Sequence, residues 1–427
     1  MIPSELVDPA ALEASQRPFG RSRMLPAAVY TRPEILTWER EHFFAGTWTC
    51  LGRRPEAGQR AYAVGNLSVL VTVSAGAGAG TGAGSGAGSA TGGSPAGISG
   101  SSAGTVRAFA NVCRHRGHEL LPVGTDSNRR AIVCPYHGWA YRTDGELTTA
   151  PAMPADFDTS EWGLVPLPVV DWHGWIFVNP GHPAPPFDEF IGELDEWVAP
   201  YRPEALHVAA THHYEVAANW KLICENYHEC YHCGMIHPEL CTVTSPTSGR
   251  NGTGPGAWIG GTMDLLPHAT TMSLDGTSAV PPLQGVDPRT VTYVGLFPNL
   301  LMSLHPDYVM THRLVPLAPD RTFVECQWMF AAPDADPAYA VEFWDRTNLQ
   351  DWAAVESVQR GLASPHHRPG PLAPTEGAIY DWVTMLARGY RDRAANPRAP
   401  GYVRPWVGGE EAAAGHAVET GQEARTA

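Results

Sequence analysis

Two β-rich stretches, each joined to helical segments, predict an α+β fold for this 427-residue chain. The first stretch is a series of short runs rich in branched and aromatic residues, among them residues 68–73, 106–110 and 175–178, which read as strands. The second comprises residues 291–297, 300–304, 308–312 and 322–330, closely spaced enough to read as successive antiparallel strands. Helical periodicity supplies the α component. Ile35, Leu36, Phe43 and Phe44 recur near helical spacing in residues 33–44. The length suits two domains with separate cores, and a hydrophobic share of 43% is ordinary for a globular chain.

The elements follow in order. The first 27 residues are expected to be mobile, and the helix at 33–44, with Thr31 as its cap, completes an N-terminal segment ending at residue 45. Residues 46–180 form the β-rich domain. Its insertion at 75–104 is almost entirely Gly, Ala, Ser and Thr, too poor in apolar surface to offset the entropy of ordering, and reads as a flexible loop. Loop-closure cost grows slowly with length, so the flanking strands still pair. A Pro-rich connection at 180–186 leads into the second domain, 181–407, with a helix near 187–198 and a strand near 206–217. Residues 242–290, rich in Gly, Thr and Pro, read as a lid or entrance. Residues 408–427 are of low complexity and are expected to be disordered.

Cys113-Arg-His115 and Cys134-Pro-Tyr-His137, eighteen residues apart, are the most telling feature. Two thiolates and two imidazoles can close a tetrahedral zinc site, or can divide so that the cysteines hold one iron and the histidines the other iron of a [2Fe-2S] cluster. Spacing alone leaves both open. The wider wording, Cys113-Arg-His-Arg-Gly-His118 and Cys134-Pro-Tyr-His-Gly-Trp139 followed by Tyr141 and Asp144-Gly145, resembles the two cluster-binding loops of Rieske proteins. A second motif lies downstream, Glu225-Asn-Tyr-His-Glu229-Cys-Tyr-His232-Cys-Gly-Met-Ile-His237-Pro238. His232 and His237 offer two neutral nitrogens, and a carboxylate would complete a facial set that leaves positions on iron(II) open.

With both motifs in place, the chain resembles the large subunit of Rieske non-haem iron (ring-hydroxylating) oxygenases from about Pro33 to Val407. The resemblance implies a Rieske domain followed by a helix-grip catalytic domain whose antiparallel sheet holds substrate over a mononuclear Fe(II). It implies Cys113, His115, Cys134 and His137 as cluster ligands, His232 and His237 as iron ligands, and an Asp preceding a helix as the third. Asp351 fits best. Asp345 and Glu356 are its rivals, and Asp345, six residues earlier, is turned roughly 600° around a continuous helix and cannot share the site. Glu229, three residues before His232, shares its face if the segment is helical. Related enzymes place an acid there that links the iron histidine to a cluster histidine of the neighbouring subunit, here His137. The implied assembly is therefore a homotrimeric ring. Glu225 either tunes this bridge or is structural.

Composition excludes other classes. A net charge of −15, from 44 acids against 29 Lys plus Arg, disfavours nucleic acid and anionic membrane as partners. No run of eighteen apolar residues and no basic-then-apolar start occurs, so cytoplasmic placement without a membrane span is expected. Eight cysteines in so long a chain do not suggest a disulfide framework, and Cys230 and Cys233 read as thiols packed around the iron motif. No dinucleotide-binding turn follows a strand, and no plant-type ferredoxin cysteine run is present. Electrons, drawn indirectly from NAD(P)H, must then arrive through a separate flavin/iron-sulfur reductase or a ferredoxin, with O2 as cosubstrate. The Glu in place of a bridging Asp, with the surrounding wording, resembles the branch acting on quaternary ammonium compounds such as betaines. Trp258, Tyr293, Phe297 and Tyr308 are candidates for an aromatic cage around such a small-molecule cation. Aromatic-ring dioxygenation is the alternative activity, and a non-catalytic Rieske electron carrier the alternative class.

Overall fold

The computed structural model describes residues 2–74, 104–181, 184–252 and 254–392. The tail at 408–427 and all but the last residue of the 75–104 insertion lie outside them. The chain forms two compact units, one of residues 44–184 and one of residues 1–43 with 185 onward.

The first unit holds eleven strands among its described residues: β1 (Thr49–Arg53), β2 (Gly58–Val64), β3 (Leu67–Val73), β4 (Val106–Ala110), β5 (Asp126–Ser127), β6 (Ala131–Val133), β7 (Ala140–Arg142), β8 (Leu147–Thr149), β9 (Pro166–Leu167), β10 (Val169–Trp172) and β11 (Trp175–Val178). They make sheets in the orders β5-β2-β3-β4-β9, β1-β11-β10 and β6-β7-β8. Gly65, at φ +59°, occupies the first position of the two-residue turn between β2 and β3, a place that favours glycine. Across the insertion, β3 and β4 pair without slippage, from Val69 opposite Ala110 to Val73 opposite Val106. Leu51, Val69, Val71, Ile176 and Val178 close one core. A second surrounds Cys113 and Cys134.

The second unit begins with α1 (Pro9–Ser15), α2 (Ala28–Thr31) and α3 (Pro33–Glu39). The first residues are not loose, contrary to expectation. Asp8 caps α1, Leu12 is buried, and the Ile2 N–H donates to the Tyr390 carbonyl at 2.7 Å. Nor does Thr31 cap the next helix. Its hydroxyl closes α2 by donating to the Ala27 carbonyl, and Arg32 stands before Pro33 instead. The helical path continues past α3, but residues 40–44 widen into a π turn, with Phe43 and Phe44 buried.

The expected helix at 187–198 is two, α4 (Phe187–Ile191) and α5 (Leu194–Val198), broken at Gly192 with φ +52°. A Cβ there would collide with the Pro255 carbonyl oxygen. Then come β12 (His207–Val216), α6 (Trp220–Tyr227), α7 (Cys233–Ile236), β13 (Arg250–Gly252), β14 (Trp258–Asp264), β15 (Thr290–Leu296), β16 (Leu300–Leu304), β17 (Val309–Ala318), β18 (Arg321–Phe330), α8 (Ala338–Leu362) and α9 (Gly377–Asp392). The sheet order is β12-β18-β17-β16-β15-β14-β13, antiparallel throughout. Part of the expected lid is thus sheet, since β13 and β14 come from residues 242–290.

Asn219 caps α6 by accepting the Lys221 N–H, and buried charges anchor the helix from beneath. Lys221 Nζ lies 2.7 Å from Glu39 Oε1, while Trp220 Nε1 donates to Glu39 Oε2 at 2.8 Å. Tyr390 also donates to Glu39, and Tyr30 donates to Glu225 at 2.7 Å. Among the described residues no helix is long and apolar enough to cross a membrane.

Candidate metal centres

In the first unit, two loops of matching construction carry the Cys and His pairs. The Cys113 N–H donates to the His118 carbonyl at 2.8 Å, and the Gly117 N–H returns to the Cys113 carbonyl at 3.0 Å. The second loop repeats this, Cys134 to Trp139 at 2.8 Å and Gly138 to Cys134 at 3.1 Å. Gly117 (φ +73°) and Gly138 (φ +72°) take the left-handed turn each loop requires. Tyr141 ties the pair together. Its hydroxyl sits 3.4 Å from Cys113 Sγ and accepts the Arg114 N–H at 3.0 Å. The His115 ring stacks on Trp139 with centroids 4.9 Å apart and meets the His137 ring edge-on at 4.6 Å.

Both thiols are buried, while the two imidazoles are not. Burial, reinforced by the neighbouring Cys113, raises the Cys134 thiol, so a thiolate here needs a cation beside it. Partial desolvation and then the charges of His115, Arg116 and His118 hold His137 below its ordinary pKa, which favours a neutral ring with a lone pair to give. Sulfur donors inside and neutral imidazoles outside suit a cluster whose inner iron is held by cysteine and outer iron by histidine.

The second centre draws on two distant segments. His232 stands immediately before α7, His237 immediately after it, and Asp351 in the middle of α8, not ahead of a helix as expected. One ligand atom from each lies within 4.8 Å of the others. Asp351 Oδ1 is 2.9 Å from His237 Nε2 and 3.5 Å from His232 Nε2. The far ring nitrogens show which tautomer is present. His237 Nδ1 faces Gln350 Oε1 at 2.7 Å, and His232 Nδ1 faces Glu229 Oε1 at 2.5 Å, so each Nδ1 carries the hydrogen. Both Nε2 lone pairs then point at a carboxylate oxygen, an arrangement of acceptors that calls for a cation between them. The two carboxylates favour positive charge at this point: although burial disfavours it, Asp351 and Glu229 raise the His232 pKa to about 9, so a proton and a metal ion compete for the Nε2 lone pair.

Gln350, which sequence reasoning passed over, has its amide orientation set by donating Nε2 to Glu239 at 3.2 Å. The only sequence hint was its place beside Asp351. Asp345 instead accepts from Tyr214 at 2.6 Å, and Glu356 accepts the Ala217 N–H at 3.0 Å, so neither rival joins the site. Glu229 does not share a helix face with His232, because α6 ends at Tyr227. It reaches the ring from a tight turn in which its other oxygen accepts the backbone N–H groups of Tyr231 and His232. Glu225 belongs to the buried network beneath α6, where desolvation raises its carboxyl to about 8. The reading of Cys230 and Cys233 as separate thiols is corrected. They form a disulfide that brackets His232.

A cavity of about 560 Å³ opens on the triad, lined by Tyr227, Tyr293 and Trp344 among others. Tyr293 meets Tyr227 and Trp344 edge-on, at 6.0 and 6.3 Å between centroids. Of the four expected cage residues, Tyr293 alone lines it. Trp258 is buried against Trp197, Phe297 packs on Phe43, and Tyr308 donates to the Met272 carbonyl.

Comparison with known proteins accords with both centres. Residues 203–392 match the ring hydroxylating alpha subunit (catalytic domain), and residues 83–170 match the Rieske [2Fe-2S] domain. The chain is 30% identical over 410 residues to a glycine betaine monooxygenase oxygenase subunit of Chromohalobacter salexigens, covering 85% of this chain and 86% of that protein. It is 34% identical over 218 residues to a carnitine monooxygenase oxygenase subunit of Escherichia coli K12, covering 50% and 52%. The fold matches a solved quaternary ammonium Rieske monooxygenase with a TM-score of 0.69 at 21% identity, covering 91% of this chain and all of that one. The chain belongs to the Rieske non-haem iron oxygenases, as an oxygenase subunit with a Rieske cluster and a mononuclear iron.

Proposed function

We propose that this oxygenase subunit acts on a quaternary ammonium compound, hydroxylating it at carbon or removing an N-methyl group as formaldehyde. The observation that carries this reading is the cavity at the triad, where Tyr227, Tyr293 and Trp344 present three aromatic rings to a small guest. Ring faces attract a trimethylammonium head through their quadrupoles, and no hydrogen bond is required of it. Relatives named for glycine betaine and carnitine support the same substrate class.

In this reading His232, His237 and Asp351 hold the iron, which supplies oxygen activation at its open positions when bound. Cys113, His115, Cys134 and His137 hold the cluster. Gln350 and Glu229 keep the two Nδ1 hydrogens in place and so direct both Nε2 lone pairs inward. Glu229 also spans to His137 of a neighbouring copy in a homotrimer, giving electrons a path between subunits. Exposed Tyr231 and Met235 beside Glu229, and exposed Tyr136 beside His137, give each face an apolar rim suited to such a contact. A separate flavin/iron-sulfur reductase or ferredoxin, fed by NAD(P)H in the cytoplasm, supplies the electrons.

The test is oxygen uptake by iron-loaded protein with a generic reductase, against betaines, carnitine, choline and simple aromatic acids, with formaldehyde assayed in parallel. Substrate-dependent uptake with formaldehyde is the expected result. Uptake with aromatic acids alone would replace the quaternary ammonium reading with ring hydroxylation.

A further inference from the structure

Cys233 stands between the two iron histidines in the sequence, and its sulfur stays close to them in the fold. Its Sγ lies 4.0 Å from His232 Nε2, the nitrogen that faces the metal site. Cys233 is buried, and it lines the cavity together with His232, His237 and Asp351. Its backbone is held in place, because the Cys233 carbonyl accepts the His237 N–H at 3.0 Å and the Cys241 thiol at 3.5 Å. In a tetrahedral zinc site, with nitrogen at about 2.1 Å and sulfur at about 2.3 Å from the metal, the two donors lie roughly 3.6 Å apart. The sulfur is therefore close to ligand spacing from His232, much as Asp351 Oδ1 is at 2.9 and 3.5 Å from the two histidines. A thiolate at this point would complete a set of one Cys, two His and one Asp. Such a closed set of four suits zinc, and it fills a position that oxygen chemistry at iron needs open. What withholds the thiolate is the bond from Cys233 to Cys230.

We infer that the Cys230–Cys233 disulfide guards the iron site: intact, it keeps the centre at three protein donors, and reduced, it releases Cys233 as a fourth that turns the site towards zinc. The step balances with a dithiol as reductant. Its two electrons and two protons split the S–S bond into two thiols, and the dithiol is itself left as a disulfide. The Cys233 thiol then gives up its proton to solvent as its sulfur bonds to the metal. Sulfur and imidazole donors hold zinc more tightly than iron(II), so an unpaired thiol at this spacing works against an iron enzyme. The inference rests on the triad as a metal centre and is independent of the substrate class.

The experiment strips the mononuclear site by anaerobic chelation, with cluster absorbance confirming that the cluster is kept, and then offers equal Fe(II) and Zn(II). Metal content per chain is read by elemental mass spectrometry. C230A leaves Cys233 unpaired, whereas C230A/C233A removes both sulfurs. C230A is expected to raise the zinc-to-iron ratio at the site by at least about tenfold over unreduced wild type. Wild type treated with dithiothreitol should match C230A, and C230A/C233A should return to within about twofold of unreduced wild type. Melting temperature reports whether each variant is folded, and the reduced wild type gives the same comparison without a substitution. Equal shifts in C230A and C230A/C233A would reduce the bond to a brace for the turn and overturn the inference, as would no shift in either. No metal uptake at this site by any form overturns the triad as well.

Discussion

The two metal centres are built on opposite plans. The cluster loops are nearly self-contained: each closes on its own backbone through a Cys N–H, a Gly N–H and a left-handed glycine, and His137 follows Cys113 by only 24 positions. The iron triad is assembled. Its histidines flank a four-residue helix, its carboxylate arrives from 114 positions beyond His237, and neither segment could hold the geometry alone. A locally closed site depends on turn chemistry. An assembled one depends on side chains that orient other side chains, and on the packing that brings α8 to α7.

The sharpest way to separate the two plans is to delete one donor from each. Cys134→Ser should abolish the visible absorbance of the cluster and also lower the stability of its unit, because the buried sulfur belongs to that core. Asp351→Ala should abolish turnover as completely, yet leave the cluster spectrum and its signal on reduction unchanged. Loss of the cluster spectrum in Asp351→Ala would show that the centres do not assemble independently.

Orienting residues give the next smaller effect. Gln350→Leu and Glu229→Gln each disturb one Nδ1 partner, and each should weaken iron affinity or activity by about 10- to 100-fold. The two ought to differ in character. Gln350→Leu should be compensated in part by excess iron, whereas Glu229→Gln should leave iron content high and slow the re-reduction of iron measured by rapid mixing, since Glu229 is proposed to carry electron entry as well. Equal behaviour of the two variants would remove the case for a bridging role.

The same contrast explains what could be read from the sequence. The cluster residues were legible because a self-closing loop writes its ligands, glycines and bracing Tyr141 within one short stretch. The histidines of the second centre were legible for the same reason. Gln350, Tyr227 and Trp344 were not, because their roles exist only once α8, α6 and the sheet meet, and nothing local distinguishes them from ordinary helix residues. Trp258, Phe297 and Tyr308 misled in the opposite direction: an aromatic in a strand carries no mark saying whether it faces core or cavity. The split at Gly192 had a sequence signal in the glycine itself, but its cause, the approach of Pro255, is tertiary. Cys230 and Cys233 read as packed thiols because nothing in the local sequence announces a bond between them; the folded turn around His232 brings the two sulfurs together.

A pH experiment sharpens the comparison from below. Burial raises the Glu225 carboxyl from 4.5 to about 8, against the lowering influence of its hydrogen bond from Tyr30 and of Lys221. The folded state therefore holds a proton that the unfolded chain has lost by pH 5. Stability from this group is fully present below pH 4.5 and is lost as pH rises towards 8. Melting of the iron-bearing unit, followed by protease cleavage beyond residue 185 on heating, should fall between pH 5.5 and 8, and Glu225→Gln should flatten that slope. Melting followed by cluster absorbance should be unmoved by the substitution, because Glu225 lies in the other unit. A matching change in both signals would mean that the units unfold as one.

The smallest expected effect falls on the loop side. Gly138→Ala places a methyl group at φ +72°, where an L side chain is strained by roughly 1–2 kcal/mol. The added carbon would sit 3.4 Å from Pro151 Cγ, an ordinary contact, so the penalty comes from backbone conformation and not from a clash. The Gly138 N–H that closes the loop on Cys134 is retained. The variant should therefore still bind its cluster but melt a few degrees lower by cluster absorbance, with protease-reported melting of the other unit unaltered. Complete loss of the cluster would show that the left-handed turn, beyond stabilising the loop, sets the direction in which His137 points.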